Sequence, residues 1–321
     1  MSQIAPSILI TPENTAKNSA RLKQTLTAMN KIILGKERTL RLALTCLIAR
    51  GHLLIEDQPG VGKTTLSHLL ARVLGLDFQR IQFTSDMLPA DILGVSVYDQ
   101  NSACFKFHPG PVFSQLVLAD EVNRATPKAQ SALLEAMEEY QVTTEGETHP
   151  LPSPFFVIAT QNPSNQIGTF QLPESQLDRF LMRLEIGYPD QAHEKELLKG
   201  QDRRELLQQL DATLLPAQLL EIQQAAPQIH VSDTLVSYLQ KILSFSRHSP
   251  YYRNGLSPRA GIAILRCAQA WALLDGRDHL LPEDIQAILP STVNHRLQSA
   301  AEFSALTSDE IVSHLLTVPL D

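Results

Sequence analysis

Residues 57–65, DQPGVGKTT, bring together the residue types that can hold a polyphosphate. Gly60 and Gly62 lack a Cβ, so the backbone around Gly60, Val61 and Gly62 can take positive φ and close its N–H groups on phosphate oxygens. Lys63 offers a point charge to the β and γ phosphates, and the Thr64 hydroxyl an oxygen ligand for Mg²⁺. Pro59 and Thr65 complete the loop on either side. The usual spelling, G-x-x-x-x-G-K-[ST], has glycine where this chain has Asp57. Asp tolerates left-handed backbone, so the exception is expected to leave the loop intact.

The context supports this chemistry. HLLIE at 52–56 reads as a strand and TTLSHLLARVLG at 64–75 as a helix, and a helix N-terminus adds its dipole to the attraction for phosphate. Further along, QLVLADEVNRATPKAQSALLEAMEE starts as an apolar strand and ends that strand in Asp120-Glu121. A carboxylate at a strand end beside the phosphate loop can hold Mg²⁺ through water, and the next one can orient and deprotonate an attacking water. Loop and carboxylate pair together imply hydrolysis of ATP rather than its storage.

The elements that must position these groups are short apolar runs: HLLIE, DFQRIQF, QLVLAD, PFFVIAT and RLEIGY. Too short for helices and read as apolar on both faces, they fit buried parallel strands joined by crossover helices. Two helical patterns precede them between Ala20 and Arg50, broken at ILGKER around Gly35. After Asp190 the chain reads as helical throughout, with start signals at Ser232, Ser257-Pro258 and Pro282-Glu283. The expected organisation is a flexible lead over 1–18, an α/β domain over 19–195 and an all-helical domain over 196–321. Two further stretches, GVSVYDQNSACFKFHPGPVF and EEYQVTTEGETHPLPSPF, suit hairpins, the second turning at Gly146.

Composition narrows the function. The 321 residues carry 27 basic and 34 acidic side chains, a net charge of -7, which excludes a general basic footprint for nucleic acid or anionic lipid. Cys46, Cys104 and Cys267 are odd in number and without C-x-x-C spacing, so neither a disulfide framework nor a zinc cluster is expected, and the three read as small core residues. No secretion signal and no apolar run of about 18 residues occurs, which makes the cytoplasm the expected location and direct membrane insertion unexpected. Ala129, Ala132, Leu133, Ala136 and Met137 fall on one helical face and, with Trp271, read as core.

The order of PGVGKTT, FTSDMLPADILG, FHPGPVF, LADEVNRATPKAQSALLEAMEE, FFVIATQNP, LPESQLDRF and LSPRA resembles that of MoxR-type AAA+ ATPases over nearly the whole chain. The resemblance implies a five-stranded parallel sheet between helices followed by a helical lid, with ATP and Mg²⁺ as cofactors. It implies that Asn162 acts as sensor 1, that Arg179 is an arginine finger for a neighbouring subunit's γ-phosphate, and that Arg259 is sensor 2. Leu34 and Gly35, in ILGKER, then belong to the adenine pocket, with Lys36 where such proteins commonly have Gln. Arg259 also has a physical argument of its own: a cation in the first turn of a helix opposes the dipole unless an anion lies close by.

A finger that acts on another subunit implies a homo-oligomeric ring, a hexamer by resemblance. The same resemblance implies chaperone-like remodelling, maturation or metal loading of a client protein, helped by a partner with a von Willebrand factor A domain. The two hairpin stretches argue against a nucleic-acid motor. The first carries only Lys106, set against Asp99, and the second carries Glu138, Glu139, Glu145 and Glu147 without Lys or Arg. A nucleotide-gated scaffold is the other alternative, and Glu121, Asn162 and Arg179 weigh against it.

Overall fold

The structure, a computed structural model, describes residues 12–101, 103–162, 168–200, 202–300, 303 and 307–320. Helices α1 (Pro12–Ile32) and α2 (Glu37–Ile48) lead into β1 (His52–Glu56), the phosphate loop and α3 (Lys63–Val73). Then follow β2 (Phe78–Gln82), α4 (Pro89–Leu93), the hairpin β3 (Gly94–Asp99) and β4 (Cys104–Pro109), and β5 (Leu116–Asp120). Helix α5 (Pro127–Glu139) carries a second hairpin, β6 (Gln141–Thr144) and β7 (Glu147–Pro150), before β8 (Phe156–Gln161), α6 (Glu174–Leu177) and β9 (Phe180–Leu184). The remainder is helical: α7 (Gln191–Lys199), α8 (Arg203–Gln208), α9 (Pro216–Ala225), α10 (Asp233–His248), α11 (Pro258–Asp275), α12 (Pro282–Val293) and α13 (Ser308–Leu316).

The main sheet is parallel in the order β2-β5-β8-β1-β9, as the short apolar runs require. Alternation along each strand sends side chains to two separate apolar layers. Leu53, Ile55, Leu116 and Leu118 join the helices α1, α2, α3 and the C-terminal helices, whereas Leu54, Val117 and Ala119 join α5 and its neighbours. The last-named layer receives Ala129, Leu133, Ala136 and Met137 from α5, the face expected to be core. Trp271 is buried in the first layer, with the Arg41 guanidinium 3.8 Å from its ring centroid.

Several boundaries differ from the sequence reading. Helix α1 begins at Pro12 and buries Thr15, Asn18 and Ser19, so the stretch 12–18 is helix rather than flexible lead; residues 1–11 lie outside the described residues. The last strand is Phe180–Leu184, earlier than RLEIGY, because its register is fixed by pairing with His52–Ile55 of β1. Strand β2 is not apolar on both faces: it is an edge strand, and Gln79, Arg80 and Gln82 are exposed. Glu138 and Glu139 end α5 and do not belong to the second hairpin, whose turn holds Glu145 and Gly146 at positive φ. Cys104 is exposed on β4, while Cys46 and Cys267 are buried as expected; none of the three forms a disulfide.

The helix starts follow the sequence signals. Ser232 and Ser257 accept hydrogen bonds from the N–H groups of Leu235 and Ala260, and Pro258 and Pro282 open α11 and α12. No helix among the described residues is long and apolar enough to cross a membrane.

Candidate active site

Strands β5, β8 and β1 are adjacent and parallel, so their C-terminal ends converge on one edge of the sheet. The phosphate loop leaves β1, Asp120-Glu121 end β5, and Asn162 follows β8, which brings all the expected phosphate-end residues together. Gly60 and Gly62 adopt φ of +86° and +97°, with open space where a Cβ would stand. The cradle therefore faces solvent and accepts a phosphate without a clash. Thr64 and Thr65 sit in the first turn of α3, and the Thr64 hydroxyl makes no hydrogen bond among the described residues.

Lys63 is 9% exposed, and its ammonium donates to the Asp57 carbonyl at 2.6 Å and the Asn162 Oδ1 at 2.9 Å. Burial lowers the pKa of this ammonium below its ordinary value, while Asp57, Asp120 and Glu121 pull the other way. Asp57 does not use left-handed backbone: it is absent from the positive-φ positions. Its side chain explains the residue instead. One carboxylate oxygen accepts the N–H groups of Ile186 and Gly187, both at 2.7 Å, and the other the N–H of Gln58 at 2.7 Å. A glycine could not make these bonds, so Asp57 ties the loop to the segment leaving β9.

That segment also binds Lys36, whose ammonium donates to the Tyr188 carbonyl at 2.8 Å. Beside it Leu34 and Gly35 line a cavity of about 860 Å³ with Arg38, His193 and Trp271. Gly35 has φ +67° and lies against the His193 ring, where a Cβ would meet Nδ1 at 2.6 Å. The two residues expected near an adenine thus border one cavity, and residues 186–188 hydrogen-bond both Lys36, next to Gly35, and Asp57 of the phosphate loop.

The carboxylate pair is fully engaged. Asp120 accepts the Thr160 hydroxyl at 2.6 Å on Oδ1 and the Arg80 guanidinium at 2.6 and 3.1 Å on Oδ2. Glu121 stands at φ +57°, an uncommon conformation for a non-glycine residue, with its N–H on the Thr160 hydroxyl. Its Oε1 accepts from the Asn162 amide at 3.2 Å, and its Oε2 from Gln82 at 3.0 Å and Arg124 at 2.9 Å. Arg80 also donates to Gln82, so one glutamine links the partners of both carboxylates. Sequence reading missed Arg80, Gln82 and Arg124. The signal was there in β2, where Arg80 and Gln82 alternate on one face of a strand too polar for a sheet centre.

Arg179 and Arg259 are not in this cluster. Arg179 precedes β9, whose Phe180 pairs with His52 at the start of β1, the end opposite the phosphate loop. Strands rise about 3.3 Å per residue. The length of β1 therefore separates Arg179 from Lys63. Arg179 donates to Glu138 Oε2 at 2.8 Å, and Arg259, at the start of α11, to Glu138 Oε1 at 3.2 Å, with Asp178 3.6 Å away. Glu138 and Asp178 are the anions that Arg259 was expected to need. Arg296, deeply buried, fixes this end by binding Asp178 at 2.7 Å and the carbonyls of Phe180 and Leu181.

The comparisons agree with this geometry. A family model described as "ATPase family associated with various cellular activities (AAA)" matches residues 52–182, and one described as "AAA lid domain" matches 244–315. A crystal structure of a protein from Cytophaga hutchinsonii, provisionally named an ATPase, superposes with a TM-score of 0.88 at 36% identity, covering 96% of each chain. Chaperone MoxR1 of Mycobacterium tuberculosis is 38% identical over 295 residues, 89% of this chain and 78% of that one. This chain is a MoxR-type AAA+ ATPase. YeaC of Bacillus subtilis, a relative without a characterised function, is 43% identical over 90% of this chain and 91% of its own. The MoxR-type assignment makes the chain an ATP-hydrolysing enzyme, and the parallel sheet followed by a mostly helical lid is the fold expected of it.

Proposed function

We propose that this ATPase works as a ring, a hexamer by resemblance, in which each ATP is bound by one subunit and completed by the next. The observation that carries this reading is the separation of Arg179 and Arg259 from Lys63 by the length of β1. An arginine that must neutralise a γ-phosphate cannot do so from the far end of its own sheet, but it can face the phosphate loop of a neighbour.

Within one subunit the α/β part, residues 19–195, does the phosphate chemistry and the helical part, 196–321, presents Arg259. The N–H groups of Gly60 to Thr65 receive the phosphates, and Lys63 exchanges the Asp57 carbonyl for phosphate oxygen. Leu34 and Gly35 border the base. The Thr64 hydroxyl and Asp120 carboxylate are hard oxygen donors suited to Mg²⁺, which supplies neutralisation of the β and γ phosphates when bound. Asn162 orients the attacking water, and Glu121 takes its proton as the water oxygen bonds to the γ-phosphorus and the bond to the ADP oxygen breaks. For that, Glu121 must loosen its bonds to Gln82 and Arg124, so the resting site is held inactive. Arg179 and Arg259 of the adjoining subunit stabilise the charge that develops.

The work done falls on a protein client. On the first hairpin Tyr98 and Phe105 pack edge to face and stand exposed, while Lys106 is paired with Asp99. Apolar surface and neutralised charge suit a polypeptide and not a phosphate backbone. MoxR1 is named a chaperone, which favours remodelling, maturation or metal loading of a partner in the cytoplasm, with a von Willebrand factor A domain protein as co-worker.

Mixing tests the shared site. Arg179→Ala should bind ATP yet lose about a hundredfold in turnover. Adding inactive Glu121→Gln subunits, which still carry Arg179, should restore part of it. Assembled mixtures with no recovery would rule out action across the boundary.

A further inference from the structure

The end of β1 that carries Arg179 is lined by more cation than a single finger requires. A cavity of about 430 Å³, within the range of small-ligand sites, is bordered by Arg50, Arg179, Arg259, Arg266 and Arg296 against Glu138 and Asp178. Three positive charges are left over in a chain whose net charge is -7. The phosphate end is balanced by contrast, with Lys63, Arg80 and Arg124 facing Asp57, Asp120 and Glu121. A polyphosphate added there brings negative charge that its own subunit does not match, and the surplus at the other end of β1 has the complementary sign and size.

The five arginines are not equivalent. Arg179 and Arg259 are held by Glu138, and Arg296 is committed to Asp178 and backbone carbonyls. Arg50 and Arg266 make no side-chain hydrogen bond or ion pair among the described residues. Arg266 lies on the same stripe of α11 as Arg259, Ile262 and Ala263, at spacings of three, four and seven residues, all lining the cavity. Arg50 occupies the turn between α2 and β1 at φ +58°, a left-handed conformation that a bulky side chain adopts only at a cost. Burial raises the pKa of the Tyr140 phenol, and the charges of Arg50 and Arg266 oppose that rise; all three residues line the cavity.

We propose that Arg50 and Arg266 are two further arginines that contact the polyphosphate held by a neighbouring copy of this chain. The cavity is then a receptor for the triphosphate of the adjoining subunit, with Glu138 as the counter-ion that keeps Arg179 and Arg259 in place until the anion arrives. This inference rests on the shared-site reading above.

Two measurements test it. In a Lys63→Ala background, which silences the chain's own phosphate loop, titration calorimetry with inorganic tripolyphosphate at low salt should show residual binding. Arg50→Gln and Arg266→Gln should each weaken it about tenfold, the scale of one charge-assisted hydrogen bond. With Lys63 intact, the same substitutions should keep the melting temperature and lower kcat about tenfold, with recovery on mixing with Glu121→Gln. If Arg179→Ala loses turnover while Arg50→Gln and Arg266→Gln change neither tripolyphosphate binding nor kcat, this inference is overturned and the shared site stands. If Arg179→Ala also turns over normally, the shared site itself fails.

Discussion

The two ends of β1 are built on opposite electrostatic plans. Where the strand runs into the phosphate loop, each ionised group meets a partner from its own chain: Lys63 on Asn162, Asp57 on backbone N–H groups, Asp120 on Arg80 and Thr160, Glu121 on Gln82, Arg124 and Asn162. Where the strand begins, arginines outnumber carboxylates around an open cavity. The first end satisfies its charges internally; at the second, Glu138 and Asp178 pair with Arg179, Arg259 and Arg296, and Arg50 and Arg266 have no such carboxylate among the described residues. The difference is what the proposed shared site rests on: one end of β1 offers a phosphate loop and the other a surplus of arginine.

Substitutions that break one end and spare the other measure this contrast. The largest effect is expected from Lys63→Ala, which removes the buried ammonium from the cradle; ATP binding followed by calorimetry should fall by a hundredfold or more. Next comes Glu121→Gln, which keeps the size of the side chain but not the base: ATP stays bound while phosphate release drops about a hundredfold or more. Near-normal release would remove Glu121 from the role of base.

Stability effects are smaller. Asp57→Ala strips the partners from the Ile186 and Gly187 N–H groups, and denaturant unfolding should show a loss of about 1–3 kcal/mol. An unchanged midpoint would mean that water replaces the carboxylate without cost.

The arginine end has its own pH signature. His52 is buried, takes the Val157 N–H on Nδ1, faces the Met137 carbonyl through Nε2 at 3.1 Å, and burial lowers its pKa to about 4. The unfolded chain takes up a proton as pH falls through the ordinary value near 6.5, and the folded chain does so only near 4. The stabilisation is therefore whole above pH 6.5 and is lost progressively down to pH 4, about 3 kcal/mol in total. Unfolding followed between pH 7 and 5 should weaken with falling pH, and His52→Gln should flatten that slope.

Much of the phosphate end was legible in the sequence, because loop, strand ends and helix starts are set by local rules: glycine conformational freedom, strand length and capping. Gly60, Lys63, Asp120, Glu121 and Asn162 meet as the spacing implied. The missing parts depend on partners far apart in the chain. Nothing near Asp57 reveals that Ile186 and Gly187 donate to it, and nothing near Glu138 shows that Arg179 and Arg259 converge on it; that residue even read as part of a hairpin. The polarity of Arg80 and Gln82 marks β2 as an edge strand, but which strand it borders, and so which carboxylates the two residues reach, is set by the sheet order. The location of Arg179 and Arg259 relative to Lys63 likewise emerges only from the pairing of β9 with the start of β1.

The most direct test of a site divided between subunits is ATP turnover per chain as a function of protein concentration, with light scattering on the same samples. Specific activity should rise steeply over the range where rings form and vanish on dilution to single chains. Turnover per chain that stays constant down to the monomer would contradict a shared centre and return Arg179 and Arg259 to a purely structural pairing with Glu138.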